Sequence, residues 1–145
     1  MPKDVTSEIT SAEWEVMRIV WTLKQTDSKT IIDVLSDKKG WSPSTIKTLV
    51  SRLVKKKILS AQKHKSKNIY FANIEEKDAS NLMAINSVEN ICCMRQGTVI
   101  KYLINHLDIS KPDIDDLIKT LENKRTNAKK KVNCDCLNCD REVLK

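Results

Sequence analysis

Three of the five cysteines in this chain of 145 residues, Cys134, Cys136 and Cys139, fall within the segment Asn133-Cys-Asp-Cys-Leu-Asn-Cys-Asp140. A Cys-x-Cys-x-x-Cys spacing lets three thiolates close around one soft metal ion without a preformed core, and thiolates favour Cu(I) and Zn(II) over hard cations. Two other roles fit the same residues. Cys136 and Cys139 form a C-x-x-C pair that can oxidise reversibly, and a reduced tail with no chemistry is the plain alternative. Cys92 and Cys93 lie in an apolar helical pattern, where a free thiol packs by default. The two histidines, His64 and His106, have no partnered nucleophile within sequence reach. No enzymatic activity and no small-molecule substrate are therefore expected.

Charge is spread unevenly. Residues 1–74 hold 14 Lys/Arg against 7 Asp/Glu, residues 75–123 hold 5 against 9, and residues 124–145 hold 7 against 3. A basic front and an acidic middle predict a nucleic-acid-binding unit joined to one that meets protein. No apolar run approaches the ~20 residues that cross a bilayer. The opening Met1-Pro-Lys-Asp-Val-Thr-Ser-Glu8 lacks the apolar stretch of a signal peptide. The expected location is cytoplasmic, where thiols stay reduced and disulfide staples are disfavoured.

The elements that must present these groups can be read from periodicity. Thr10 and Glu13 have the spacing of a capping box. Trp14, Met17 and Trp21, flanked by Val16, Val20 and Leu23, predict a helix with a wide buried face. A second helix, capped by Asp27 or Ser28, is expected to bury Ile31, Val34 and Leu35 and to stop at Lys38-Lys39-Gly40. Ser42-Pro43 then starts a third helix. Its Ile46, Leu49, Val50, Leu53 and Val54 make one apolar face, opposite Ser44, Thr45, Lys47, Thr48, Ser51, Arg52 and Lys55. That second face has no acid, and hydroxyls interleaved with cations suit phosphates and base edges. Two short strands, Leu59–His64 and Ile69–Ala72, flank a basic turn with Lys65 and Lys67. Three helices and a basic hairpin predict a winged helix-turn-helix domain over residues 1–74 that binds double-stranded DNA.

Beyond it, Ala79, Leu82, Ile85 and Cys92 mark a long helix. Val99, Ile100, Leu103, Ile104 and Leu107 mark another after Gly97, and Ser110-Lys-Pro112 caps a last one carrying Ile114, Leu117, Ile118 and Leu121. Three short amphipathic helices cannot easily bury their apolar faces alone. Residues 75–123 are therefore expected to form a homodimer with Leu82, Ile100, Leu103, Leu117 and Leu121 inside. Residues 124–145 read as a basic linker, extending to Asn133, and a cysteine-rich metal-binding tail. The fold class is mainly α with a small β-hairpin wing.

Ser11-Ala-Glu-Trp-Glu-Val-Met-Arg-Ile-Val-Trp21 and Trp41-Ser-Pro-Ser-Thr-Ile-Lys-Thr-Leu-Val-Ser-Arg-Leu53 closely resemble the BlaI/MecI/CopY family of bacterial transcriptional repressors, over residues 8–123. The resemblance implies a dimeric winged-helix protein that represses from an inverted-repeat operator. It places the DNA-contacting helix on the stretch containing Lys47, Thr48 and Arg52. In the β-lactam-responsive branch, proteolysis in the dimerisation region inactivates the repressor. The copper-responsive CopY branch carries a C-x-C-x4-C-x-C tail, in which Cu(I) displaces Zn(II) and releases DNA. The cysteines make this chain most similar to the CopY branch, with Cu(I) as effector and Zn(II) as a second candidate ligand. It departs from that pattern in two places. The gap after Cys136 is two residues rather than four, and Arg141 replaces the last cysteine. A tetrahedral Zn(II) site would thus need a fourth ligand from Asp135, Asp140, water or a partner chain. Lys57 also stands where the family usually has a glycine between the recognition helix and the wing.

Overall fold

The computed structural model describes residues 9–137. They form α1 (Ser11–Leu23), β1 (Gln25–Asp27), α2 (Ser28–Lys39), α3 (Pro43–Lys55), β2 (Leu59–His64), β3 (Lys67–Ala72), α4 (Glu76–Glu89), α5 (Cys93–His106) and α6 (Lys111–Asn127). The chain divides into two compact units inside α4, the first extending to Asn86 and the second beginning at Ser87.

Helix boundaries in the first unit follow from local chemistry. The Thr10 hydroxyl accepts the Glu13 N–H (3.2 Å) while the Glu13 carboxylate accepts the Thr10 N–H (3.0 Å), so both halves of the capping box form. Asp27 caps α2 by accepting the Thr30 N–H at 2.9 Å. Gly40, at φ 68°, takes the left-handed conformation that ends α2, and its N–H reaches the Ser36 carbonyl. After this short turn, Ser42 caps α3 with Pro43 in its first turn.

The apolar faces meet in one core of Val16, Met17, Val20, Trp21, Ile31, Leu35, Ile46, Leu49, Val50, Leu53, Ile58, Leu59, Tyr70, Ile74 and Ala79. Trp21 brings its indole N–H to the Ile74 carbonyl at 2.9 Å, which satisfies the buried donor and ties α1 to the chain leaving β3. Trp14 is half-buried, edge-on to Trp21 with ring centroids 5.1 Å apart. Leu23 and Val34, both expected in the core, are 47% and 39% exposed. Leu23 is the last residue of α1. Val34 is turned about 100° from Leu35, off a buried stripe centred on Ile31 and Leu35.

The three strands form an antiparallel sheet in the order β1-β3-β2. Sequence reading gave only the hairpin. β1 adds a third strand, pairing Gln25 with Phe71 and Asp27 with Ile69. The His64–Lys67 pair leaves Lys65-Ser66 as a two-residue turn, with Lys65 at φ 57° in the positive region such turns require.

A buried ion pair locks the end of α3. Glu13 is 1% exposed, and the Lys56 ammonium lies 2.8 and 3.0 Å from its two carboxylate oxygens. The chain then turns at Lys57, which takes φ 63°, as the glycine usual there would. The Asn73 amide donates to the Lys57 carbonyl at 2.8 Å, and the Asn73 N–H donates to the Ile58 carbonyl at 2.9 Å. The turn is kept although a lysine occupies it.

Ala79 is fully buried and Leu82 half-buried against this core. The first part of α4 therefore packs with the first unit, and the division falls later than residue 74. In the second unit α4 stops at Glu89, and Cys92 stands at the N-cap of α5. The expected long helix through Cys92 is thus broken before it, and Gly97 lies inside α5 rather than ahead of it. Helix α6 runs to Asn127, into the stretch expected as linker; Lys124 and Arg125 in its last turn favour the negative end of the helix dipole. Neither α5 nor α6 has a buried residue. Ile100, Leu103, Ile104, Leu107, Ile114, Leu117, Ile118 and Leu121 are 38–60% exposed. No helix among the described residues is long and apolar enough to cross a membrane.

An L-residue at positive φ costs roughly 1–2 kcal/mol, whereas glycine adopts it without a Cβ clash. Lys57→Gly is therefore expected to stabilise the first unit by about 1 kcal/mol, read as a higher urea midpoint at unchanged slope. A lower midpoint would mean that the Lys57 side chain stabilises more than its backbone costs.

Candidate nucleic-acid interface and metal centre

Two clusters of functional groups emerge, one in each unit. In the first, burial of Ile46, Leu49, Val50 and Leu53 turns the other side of α3 outward, and Ser44, Thr45, Lys47, Thr48, Ser51, Arg52 and Lys55 are all exposed. The Thr48 hydroxyl donates to the Ser44 carbonyl at 2.9 Å, leaving its lone pairs outward as acceptors. Ser42, Ser44 and Thr45 share a hydroxyl network at the start of the helix, with Oγ–Oγ1 and Oγ–Oγ contacts of 2.9 and 3.1 Å. The side chains of Lys47 and Arg52 have no hydrogen-bond or ion-pair partner among the described residues.

Lys47 also lines an open cleft with Asp27, Ser28 and Lys29 at the start of α2 and Ser66, Lys67 and Asn68 of the wing. The Lys67 ammonium is 3.6 Å from the Asp27 carboxylate, so this wing residue is already held by α2. The Thr30 backbone N–H, with Lys67 adding to it, holds the Asp27 carboxyl below its ordinary range. Lys65 is exposed at the tip of the hairpin. The arrangement gives a cationic helix face and a cationic hairpin with hydroxyls between them, a chemistry suited to a phosphate backbone.

In the second unit, the sulfurs of Cys92, Cys134 and Cys136 all lie within 4.8 Å of one another. Cys92 and Cys134 are the closest pair, at 3.6 Å. A tetrahedral thiolate site with metal–sulfur bonds of about 2.3 Å needs sulfurs about 3.8 Å apart. The observed spacing is therefore within small side-chain adjustments of that geometry. Hydrogen bonds hold the tail on both sides of Cys134. The Cys93 thiol donates to the Asn133 carbonyl at 2.8 Å, and the Cys93 N–H approaches the Asp135 carboxylate at 3.5 Å.

These contacts separate the thiols in acidity. The Met94 backbone amide, then the Cys136 and Cys134 thiols, lower the pKa of Cys92. Cys136, which shares its proton with Cys134 and Cys92, is pushed up to about 12. The Asp135 carboxylate raises Cys93, and the Cys93 thiol in turn lowers Asp135. A soft cation replaces the shared protons, so metal capture by this cluster releases them to solvent.

The sequence reading singled out Cys134 and Cys136, and the structure brings them together. Cys139 lies outside the described residues. Cys92, for which packing was only the default role, faces the tail, because the helix breaks before it and leaves it at a helix start rather than on a helix face. The dimer candidates Ile100, Leu103, Leu117 and Leu121 are exposed, whereas Leu82 is half-buried against the first unit.

A family profile described as penicillinase repressor matches residues 9–123. A 16.5 kDa protein from the ptsI 3' region of Latilactobacillus sakei is 43% identical over 139 residues, covering 94% of this chain and 95% of that protein. The penicillinase repressor of Staphylococcus aureus is 44% identical over 112 residues, covering 76% and 87%. Among solved structures, the monomeric form of Bacillus licheniformis BlaI in complex with the blaP half-operator is 38% identical and covers 49% of this chain and 87% of that one, with a TM-score of 0.45. The chain belongs to the penicillinase repressor family, the BlaI/MecI/CopY group of transcriptional repressors.

Proposed function

We propose that this repressor is a cytoplasmic homodimer on an inverted-repeat operator and that it lets go of DNA when Cu(I) is bound by the cysteines of its tail. The convergence of the tail thiols Cys134 and Cys136 with Cys92 carries the copper part of this reading. The family match ends at residue 123, ahead of the tail cysteines Cys134 and Cys136. Cys134, Cys136 and Cys139 would hold Cu(I), and soft thiolates are the ligands it favours. A ligand shifts a DNA-binding equilibrium only when it prefers the released form, so Cu(I) must bind free repressor more tightly than operator-bound repressor. Zn(II) is the competing occupant of the same donors. A second reading has the relatives' names behind it: loss of repression by proteolysis in response to β-lactams, as suits a penicillinase repressor. Anaerobic, reduced protein titrated with Cu(I) on a fluorescent operator separates these. Release by Cu(I) supports copper sensing and removes thiol oxidation as the cause, while operator binding that ignores Cu(I) favours the proteolytic reading.

On the DNA side, Lys47, Thr48 and Arg52 are assigned to the major groove, with Ser44, Thr45 and Ser51 beside them. Lys65 and Lys67 are assigned to phosphate. Arg52→Ala should cost roughly 1–3 kcal/mol of operator affinity and relax discrimination at one base pair. Lys65→Ala should weaken all sequences alike and reduce the salt slope by about 1. Unchanged affinity and specificity in both Lys47→Ala and Arg52→Ala would move the reading face off α3.

The exposed apolar faces of α5 and α6 support the dimer, since a single copy leaves Ile100, Leu103, Leu117 and Leu121 in water. Leu103→Glu should shift sedimentation toward monomer and lower operator affinity by about a hundredfold or more, because two half-site contacts are no longer linked. A monomeric variant that keeps full operator affinity would contradict the assignment.

A further inference from the structure

Cys92 is 42 residues from Cys134, yet its sulfur is 3.6 Å from that of Cys134 and within 4.8 Å of Cys136. We propose that Cys92 is a metal ligand, so that Cu(I) held by the tail cysteines is also bound by Cys92 and clips the tail onto the start of α5. This rests on the copper-sensing reading and adds to it a ligand from outside the tail.

Three observations carry the assignment. The cluster is aligned by contacts that do not involve its own sulfurs: Cys93 reaches the Asn133 carbonyl and the Asp135 carboxylate, the residues on either side of Cys134. The thiol of residue 134 is thereby delivered to residue 92 before any metal arrives, and such preorganisation lowers the ordering cost of binding. Cys92 stands at the N-cap of α5, a position that α1, α2, α3 and α6 fill with Thr10, Asp27, Ser42 and Ser110, each capping through its side-chain oxygen. A thiolate is favoured there by the positive end of the helix. Finally, Cys92 places a third sulfur within 4.8 Å of those of Cys134 and Cys136, and three thiolates satisfy a trigonal Cu(I) site.

The clip also gives metal binding a mechanical consequence. A tail that chelates by itself changes only the tail. A tail joined to Cys92 constrains residues 93 to 133, which include α5 and α6, the helices assigned to dimerisation. Cu(I) capture and the geometry of the dimer are thereby linked through a covalently continuous loop closed by the metal.

Cys92→Ser is a clean test because serine is a preferred N-cap, so the variant should fold at least as well as the native chain. Full-length reduced protein would be titrated with Cu(I) against bathocuproine, and tryptic cleavage at Lys129, Lys130 and Lys131 followed in parallel. Native protein should bind Cu(I) and be protected at these lysines. Cys92→Ser should lose roughly tenfold or more in Cu(I) affinity and lose the protection. Cys93→Ser should lose less Cu(I) affinity than Cys92→Ser, because residue 93 positions the tail rather than ligating the metal. Native-like affinity and protection in Cys92→Ser, with both lost in the Cys134, Cys136 and Cys139 triple serine variant, would overturn the clip while leaving copper sensing by the tail intact. Failure of the native protein to bind Cu(I) would overturn both.

Discussion

Burial of one side of α3 sets the rest of the structure. Ile46, Leu49, Val50 and Leu53 are all in the core, and covering four such side chains contributes about 6–12 kcal/mol at about 1.5–3 kcal/mol each, an upper figure. The opposing cost is small: like-charged neighbours on a helix, such as Arg52 and Lys55, cost only a few tenths of a kcal/mol. Apolar burial wins by more than an order of magnitude. It can therefore hold a face bare of acids toward solvent, where Lys47 and Arg52 meet no partner among the described residues. The Gly40 turn sets where α3 begins, and the Glu13–Lys56 pair fixes where it ends. That pair is held in place by the capping box, so the same carboxylate starts α1 and anchors the end of α3.

Stability is given up where cations stand in glycine-like conformations. The non-glycine residues at positive φ among those described are Lys24, Lys57 and Lys65, all lysines. Lys57 and Lys65 bracket β2, the first strand of the wing. Glycine at either would relieve backbone strain, but glycine at Lys65 would also remove a charge from the hairpin tip. Lys67 shows a different compromise. Its contact with Asp27 ties the wing to the start of α2 and so positions the hairpin, while leaving the Lys67 side chain 63% exposed.

Much of this was legible because it is local. The Thr10–Glu13 box, the Ser42-Pro43 start and the period of Ile46, Leu49, Val50 and Leu53 are patterns within one helix, and the structure has them. The left-handed turn at Lys57 was legible only through the family resemblance, since lysine itself gives no such signal. What was not legible depends on tertiary pairing. β1 is three residues, Gln25-Thr-Asp27, with no alternation to mark it, and it exists because β3 offers an open edge. The first part of α4 reads like the helices after it, yet Ala79 is buried in the first unit. Cys92 is the clearest case. Adjacent apolar residues made it look like packing, and no spacing rule connects residue 92 to residues 134 and 136. Only the three-dimensional path of the chain does so.

Under the proposed function Cu(I) weakens operator binding, and linkage then requires operator to weaken Cu(I) binding by the same factor. The measurement that tests this most directly is Cu(I) affinity of the reduced repressor, determined by chelator competition with and without saturating operator DNA. The account predicts weaker Cu(I) binding in the presence of operator, by the same factor by which Cu(I) weakens operator binding. Equal Cu(I) affinity for free and operator-bound repressor would contradict it, because copper would then have no means of releasing DNA.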